Sequence, residues 1–280
     1  MLIFVDVDGT LIDHHQQIPD SSVAAIERAR AAGHEIFLAT GRSLPEIYPW
    51  IFDLGITGVV GASGAFAKHG ETVLFDHRLE GAQVRQIAGI LNDLGAHWTW
   101  QNPDSMWVDP RFVQVFAKAA SGHWEAYFQQ VGPYLFEGLP PTANKCTYWI
   151  PQGVCEVTDL VNMIGSDFTV FPGAVATGEG DMGEIVSRGI SKGYAVAEVA
   201  QYLGVPLSQT VAIGDSSNDV AMLQTAGLGI AMGGATGGAL EAADYVTGHI
   251  SEGGFASAID YAMCRCTNSG VAGHLDDEFR

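Results

Sequence analysis

The sequence predicts an α/β protein: a Rossmann-like core, built on a parallel sheet with helices on both faces, interrupted by an inserted α/β domain. Three observations carry this expectation. At both ends of the chain, short near-continuous apolar runs alternate with segments of helical period, the pattern of a parallel sheet buried on both faces. Several of those runs stop at an Asp or Thr, as in "LIFVDVDGT", "HEIFLATGR" and "TVAIGDSSND". The middle reads differently: Trp98, Trp100, Trp107, Trp124 and Trp149, five of the six tryptophans, fall between Gly81 and Gly183. The expected division is therefore residues 1–80 plus 184–280 for the core and 81–183 for the insertion.

Each element follows from its local pattern. "LIFVDVD" is a buried strand ended by Asp and Gly. "PDSSVAAIERARAAG" is a helix with Asp20 or Ser21 as N-cap and Gly33 as its stop. "HEIFLAT" is a second strand, Gly41 turns it into a further helical stretch, and "TGVVGAS" is a third strand. Within the insertion, "HWTW" alternates, so Trp98 and Trp100 share one strand face. The core rhythm resumes with the helix "SKGYAVAEVAQYLG", the strand "TVAIGD" and the helix "SNDVAMLQTAG". "LGIAM", "GGALEAA", "DYVT" and a last helix near Gly254–Cys264 complete it. The tail after Cys266 shows no period.

Composition excludes several classes. With 13 Lys plus Arg against 32 Asp plus Glu, the formal net charge is −19, a field that repels nucleic acid and anionic membrane. The four lysines are Lys68, Lys118, Lys145 and Lys192, so an anionic ligand needs a metal or a few well-placed cations. Cys146, Cys155, Cys264 and Cys266 form neither a disulfide framework nor a zinc pattern and read as reduced thiols. No basic leader precedes Leu2 and no run approaches ~18 apolar residues. The expected location is the cytoplasm.

In an open parallel sheet, ligands sit outside the carboxyl ends of the strands. Those ends here carry Asp6 and Asp8, Thr40, and Asp215, with Lys192 opening a nearby helix. Each has a bland alternative as a turn former, helix cap or solvated charge; their joint occurrence does not. "DVDGTLIDHHQQ" begins like a calcium loop, but such loops need Gly sixth and Glu twelfth, where Leu11 and Gln17 stand. The glycine run Ala231–Ala239 lacks the Gly-Lys-Ser/Thr of a phosphate loop and reads as a tight strand-to-helix connection.

In order, "DVDGT", "ATGRS", "GISKGYAV" and "GDSSNDVAML" resemble the four motifs of the haloacid dehalogenase superfamily, from Leu2 to about residue 263. The large insertion between the second and third motifs resembles the cap of its Cof-type sugar-phosphate phosphatases. The resemblance implies a Mg²⁺-dependent phosphomonoesterase acting on a small phosphorylated metabolite. By its motifs, Asp6 would attack phosphorus and Asp8 would serve as general acid and base. Asp6, the Asp8 carbonyl and Asp215 would hold Mg²⁺, with Asn218 and Asp219 orienting them, while Thr40 and Lys192 would bind phosphoryl oxygens. Mg²⁺ and Lys192 would then supply the positive charge that lets Asp6 and Asp8 stand together.

Gly41, Arg42, Ser63 and Lys145 are the substrate-contact candidates, Lys145 because relatives often carry Lys at that cap position. Two loops depart from the family's wording: Ser63-Gly64-Ala65 where Asn-Gly-Ala is common, and Gly233-Gly234-Ala235 where Gly-Asn-Ala is common. Specificity, rather than catalysis, is where these departures bear. The cap tryptophans read first as core; alternatively Trp98, Trp100 and Trp107 face the cleft and stack on a sugar or base. The competing functions are a phosphomutase of the same superfamily, a phospho-aspartate receiver domain, and a non-catalytic phospholigand-binding protein. The receiver reading conflicts with a nucleophile on the first strand and with the large insertion.

Overall fold

The structure, a computed structural model, describes residues 1–111, 124–173 and 180–268. Lys118 and the tail from residue 269 onward lie outside the described residues. The strands in chain order are β1 (Leu2–Val5), β2 (Glu35–Ala39), β3 (Gly58–Gly61), β4 (Phe66–His69), β5 (Thr72–Asp76), β6 (Leu79–Glu80), β7 (His97–Gln101) and β8 (Met106–Val108). They continue with β9 (Leu135–Glu137), β10 (Thr142–Ala143), β11 (Lys145–Pro151), β12 (Phe168–Pro172), β13 (Gly180–Ser187), β14 (Thr210–Gly214), β15 (Leu228–Ala231) and β16 (Tyr245–Val246).

The larger sheet is ordered β16-β15-β14-β1-β2-β3-β4-β5. From β16 to β3 its neighbours run parallel, as the continuous apolar runs predict. Alternate residues of β1 serve opposite faces. Ile3 and Val5 pack with Ala25 and Ile26 of helix Asp20–Ala31 and Phe255 and Ile259 of helix Gly254–Asn268. Leu2 and Phe4 pack with Val196 and Val199 of helix Lys192–Tyr202 and with Leu223. Each fully buried side chain of this kind contributes about 1.5–3 kcal/mol over leaving it in water.

Two local expectations need correction, and one element is new. Pro19, not Asp20 or Ser21, is the N-cap of the first helix, and no side chain caps it; proline's fixed φ sets the entry instead. The last helix runs four residues past Cys264, to Asn268. The antiparallel hairpin β4–β5, which turns through Gly70 at φ 55°, was not anticipated. Its outer strand has Val73 exposed, so no clean apolar alternation announces it.

The second sheet is ordered β12-β13-β11-β7-β8-β9 and is antiparallel except for the β8–β9 pair. One face packs on helices Gly81–Asp93 and Val157–Ile164 through Val84, Ile87, Leu91, Leu160 and Ile164. Trp98, Trp100, Cys146, Tyr148 and Ile185 supply that face, and pleating turns Gln101, Lys145, Thr147 and Glu184 the other way. The paired strands β6 and β10 lie where the chain leaves the first sheet. There Asn144 Nδ2 donates to Asp76 Oδ1 at 2.7 Å and to the His77 carbonyl at 2.8 Å. Among the described residues no helix is long and apolar enough to cross a membrane.

Candidate active site

Three adjacent parallel strands place the chemistry. β1 lies between β14 and β2, with Val5 opposite Ile213 on one side and Leu38 on the other. Asp6, Asp215 and Thr40 therefore leave the sheet at neighbouring exits. Gly9 makes this approach possible: it sits at φ 87°, and a Cβ there would come within 2.4 Å of Asp215 Oδ2. The glycine of the "DVDGT" motif is thus required both by backbone conformation and by contact. Thr10 Oγ1 donates to Asp215 Oδ1 at 3.4 Å.

Helix Lys192–Tyr202 begins at the same place, capped by Ser191 Oγ, which accepts from the Tyr194 amide at 3.1 Å. Its first residue, Lys192, is buried, and Nζ donates to Asp6 Oδ1 and to Asp219 Oδ1, each at 2.6 Å. The other oxygen of Asp219 accepts from the Asp215 amide at 3.0 Å, the Ser216 amide at 2.9 Å and Ser216 Oγ at 3.1 Å. Asn218 Oδ1, 2.7 Å from Ser216 Oγ, shares that one hydroxyl proton with Asp219.

This crowding of carboxylates moves their proton affinities. Burial, then the charge of Asp219, raises the Asp6 carboxyl well above its ordinary value; Lys192 opposes the shift, and Asp215 and Asp8 add to it. Burial, followed by Asp219, pushes Asp215 up to about 6. Burial alone would lower the Lys192 ammonium, but Asp219 and Asp6 outweigh it and hold the group charged. Asp6, Asp215 and Asp219 each offer an oxygen within 4.8 Å of the others.

Asp8 is neutralised differently from what the sequence suggests. Arg42, not Lys192, pairs with it: Nε donates to Oδ2 at 2.9 Å and Nη2 to Oδ1 at 2.6 Å. The same guanidinium donates to Gln16 Oε1 at 2.8 Å and to the Glu46 carbonyl at 2.9 Å. Thr40 Oγ1 accepts from the Arg42 amide at 3.1 Å, so its own proton remains available to a ligand.

A cavity of about 460 Å³ opens over these strand exits. Asp6, Asp8, Thr40, Gly41, Arg42, Asp215 and Asn218 line its floor, while Lys192 and Asp219 lie beneath it. The second sheet forms the roof, contributing Lys145, Thr147, Phe171, Met182 and Glu184. Lys145 Nζ donates to Glu184 Oε1 at 2.5 Å, and Ser63 Oγ donates to Glu184 Oε2. Ser63, at φ 56° and buried, stands behind Glu184 rather than in the cavity wall.

Glu184 was missed by sequence reasoning. Its only signal is a charged residue between Gly183 and the apolar pair Ile185–Val186 of one strand. Glu46 was missed too, although Ser43-Leu-Pro-Glu46 spells a capping box. Trp98 and Trp100 resolve as core. They lie on the helix-covered face of the roof sheet, away from the cavity, and Trp107 stacks on Phe136 at 5.1 Å. The description of Trp124 is limited to its helix, Trp124–Val131.

Residues 3–259 match the family of haloacid dehalogenase-like hydrolases. The chain belongs to that family. Among relatives of this hydrolase, phosphatase YwpJ of Bacillus subtilis is 29% identical over 291 residues, covering 94% of this chain and 99% of the relative. Pyridoxal phosphate phosphatase YbhA of Escherichia coli is 26% identical, covering 88% and 93%. A solved subclass IIB sugar phosphatase of the superfamily superposes with a TM-score of 0.75 at 24% identity, over 93% of this chain and 98% of that one. A haloacid dehalogenase-like hydrolase from B. subtilis gives 0.76 at 24% identity, over 93% and 99%. The large α/β insertion is thus of the kind found in the Cof-type branch.

Proposed function

We propose that this phosphoric monoester hydrolase acts on small phosphorylated metabolites, sugar phosphates foremost, through a phosphorylated Asp6 and with Mg²⁺ as its cofactor. The observation that carries the reading is the floor of the cavity: a buried Asp6 held by Lys192, beside Asp8, Thr40 and Asp215. The volume of about 460 Å³ suits a small metabolite, and the likeness in fold to a sugar phosphatase supports the substrate class. Net charge argues against nucleic acid as partner, and the cytoplasm is the location we infer.

The donor set fits a hard divalent cation. Asp6, Asp215 and Asp219 bring three carboxylates around one ammonium; burial first, and then the charge of Asp219, raises Asp6 and Asp215. An all-oxygen set with few protein ligands is the usual Mg²⁺ arrangement. Asp219 already accepts from the Lys192 ammonium and from two backbone amides, so Asp6, Asp215 and the Asp8 carbonyl are the residues that would hold the ion. When bound, it supplies charge to the phosphoryl oxygens as the transfer proceeds.

The chain's own residues do the rest. An Asp6 oxygen attacks phosphorus as the ester P–O bond breaks; Asp8 delivers a proton to the departing oxygen. Asp8 then takes a proton from water, which displaces phosphate from Asp6. Thr40 Oγ1 and Lys192 Nζ donate to oxygens that gain charge in both steps. Arg42 fixes the direction of Asp8 from two sides.

Phosphate release from p-nitrophenyl phosphate, with Mg²⁺ and with excess EDTA, tests the reading, followed by a panel of sugar, nucleoside and pyridoxal phosphates. Turnover that depends on Mg²⁺ is expected. Undiminished turnover in EDTA would remove the metal from the reading, and no release from any ester would remove the activity.

A further inference from the structure

The roof of the cavity is one pleated face. Glu184 on β13 is directly opposite Thr147 on β11 and Phe171 on β12, so these three side chains stand in a row over the floor. Lys145 and Met182 belong to the same face. Among these described roof residues Glu184 is the sole acid. Lys145, buried beside it, and Ser63, reaching across from the core, each occupy one of its oxygens. A carboxylate oxygen has two lone pairs, so each keeps one acceptor position for the cavity.

The core side of this contact is held in an unusual conformation. Ala62 and Ser63 sit at φ 51° and 56°, a region costly for residues other than glycine. Gly64 follows at φ 100°, where a Cβ would lie 2.1 Å from the Ser191 carbonyl oxygen. At Gly41, beside Thr40, a Cβ would lie 3.0 Å from Glu184 Oε1. Glu184 therefore hangs directly over the exit of β2, next to the residues that would take the phosphoryl group.

Charge restricts what can lie between. The described cavity wall carries the carboxylates of Asp6, Asp8, Glu46, Glu184 and Asp215 against two cations, Arg42 and Lys145. Both cations are already paired, with Asp8 and Glu184. A leaving group with a second anion would have to break one of those pairs, whereas hydroxyl donors would meet open acceptors.

We propose that Glu184 is a specificity-determining residue: it accepts hydrogen bonds from neighbouring hydroxyls of the leaving group and disfavours leaving groups that carry a second phosphate or carboxylate. This rests on the phosphomonoesterase reading above and narrows its substrate class to monophosphates of uncharged polyols and sugars.

The test compares the full-length wild type with Glu184→Gln and Ser63→Ala in Mg²⁺. The substrates are fructose 6-phosphate, fructose 1,6-bisphosphate and p-nitrophenyl phosphate, which has no hydroxyl. The wild type is expected to prefer the monophosphate over the bisphosphate. Glu184→Gln should lower the ratio of kcat/KM for fructose 6-phosphate to that for the aryl ester by roughly ten- to a hundred-fold, the usual worth of a hydrogen bond to a charged group. It should also narrow the discrimination against the bisphosphate. Ser63→Ala, which leaves the charge in place but removes its orienting donor, should move the same ratio by a smaller factor.

A purely structural Glu184 would lower all three substrates together and leave both ratios unchanged, which would overturn the proposal. A wild type that accepts the bisphosphate as readily as the monophosphate would overturn it as well. In either case Mg²⁺-dependent cleavage of the aryl ester would still stand, so the phosphatase reading would survive. If the wild type cleaves none of the three, both fall. Should Glu184→Gln fail to fold, an unmoved ratio in Ser63→Ala decides against the role of Glu184.

Discussion

Replacing Asp219 by Asn tests whether the buried charges beneath the cavity hold the fold together. Asp219 is fully buried, and a Cβ on Gly214 would lie 2.6 Å from its Cγ, so a new side chain must keep the same place. Its Oδ1 accepts from Lys192 Nζ at 2.6 Å and its Oδ2 from two backbone amides and Ser216 Oγ. Asn can satisfy only one side. With its oxygen toward the amides, its NH₂ faces the ammonium; flipped, its NH₂ faces two N–H groups.

Breaking a buried pair of this kind costs about 3–5 kcal/mol. Two effects pull toward the lower end: Lys192 keeps Asp6 at 2.6 Å, and losing Asp219 relieves repulsion on Asp6 and Asp215. The expected loss is therefore about 3 kcal/mol, or roughly 6–12 °C in Tm at about 2–4 °C per kcal/mol. Urea unfolding in EDTA, with the m-value unchanged, gives the number directly. A variant as stable as the wild type, or more stable, would show that repulsion among the carboxylates outweighs the Lys192 pair, and the reasoning would be wrong.

Three further outcomes follow from the same geometry. Ionising Asp215, whose carboxyl lies near 6 rather than the ordinary value of about 3.9, weakens the metal-free fold between roughly pH 4 and 6. Mg²⁺ should raise Tm, and by more at pH 7 than at pH 4.5; an equal or opposite effect would count against carboxylate ligation. Asp8→Asn keeps the size and the main-chain carbonyl, so Mg²⁺-dependent stabilisation should persist while kcat falls by about two to four orders of magnitude. With an activated aryl ester it should accumulate a phosphate-sized mass increase that maps to Asp6, and wild-type turnover would refute the assigned role. Trp100→Ala should cost about 3–5 kcal/mol by opening a core cavity, without reordering substrates; a change of ranking would place it at the cleft after all.

What the sequence made legible is what a single strand can carry. An apolar run ending in Asp or Thr names its own exit, and Asp6, Thr40 and Asp215 end on adjacent strands. Lys192 was legible because Ser191 marks a helix start. The face assignment of Trp98 and Trp100 was half legible: alternation puts them on one side, but whether that side meets helices or the cavity depends on neighbours far away in the chain. Hairpin β4–β5 was illegible because its outer strand carries the contiguous run Val73-Leu74-Phe75, with no alternation and no fully buried side chain.

The contacts that seal the site were illegible for a stronger reason. They join residues of the core's strand-to-helix turns to residues of the insertion, far apart in the chain, so neither partner's local pattern encodes the other. Glu46 shows this. Locally it is the fourth residue of a capping box, accepting from the Ser43 amide at 2.8 Å and Ser43 Oγ at 2.7 Å. Globally the same carboxylate accepts from Gln101 Nε2 at 3.0 Å and Tyr127 Oη at 2.8 Å, both from the inserted segment. Its carbonyl meanwhile accepts from Arg42, which holds Asp8. One buried residue thus connects the position of the insertion to the orientation of Asp8 through a single guanidinium. Separation of the two sheets would deprive Glu46 of two donors, and the Arg42 that fixes Asp8 is bonded to that same residue. The local code specified a helix cap, and the tertiary fold made it the link between roof and floor.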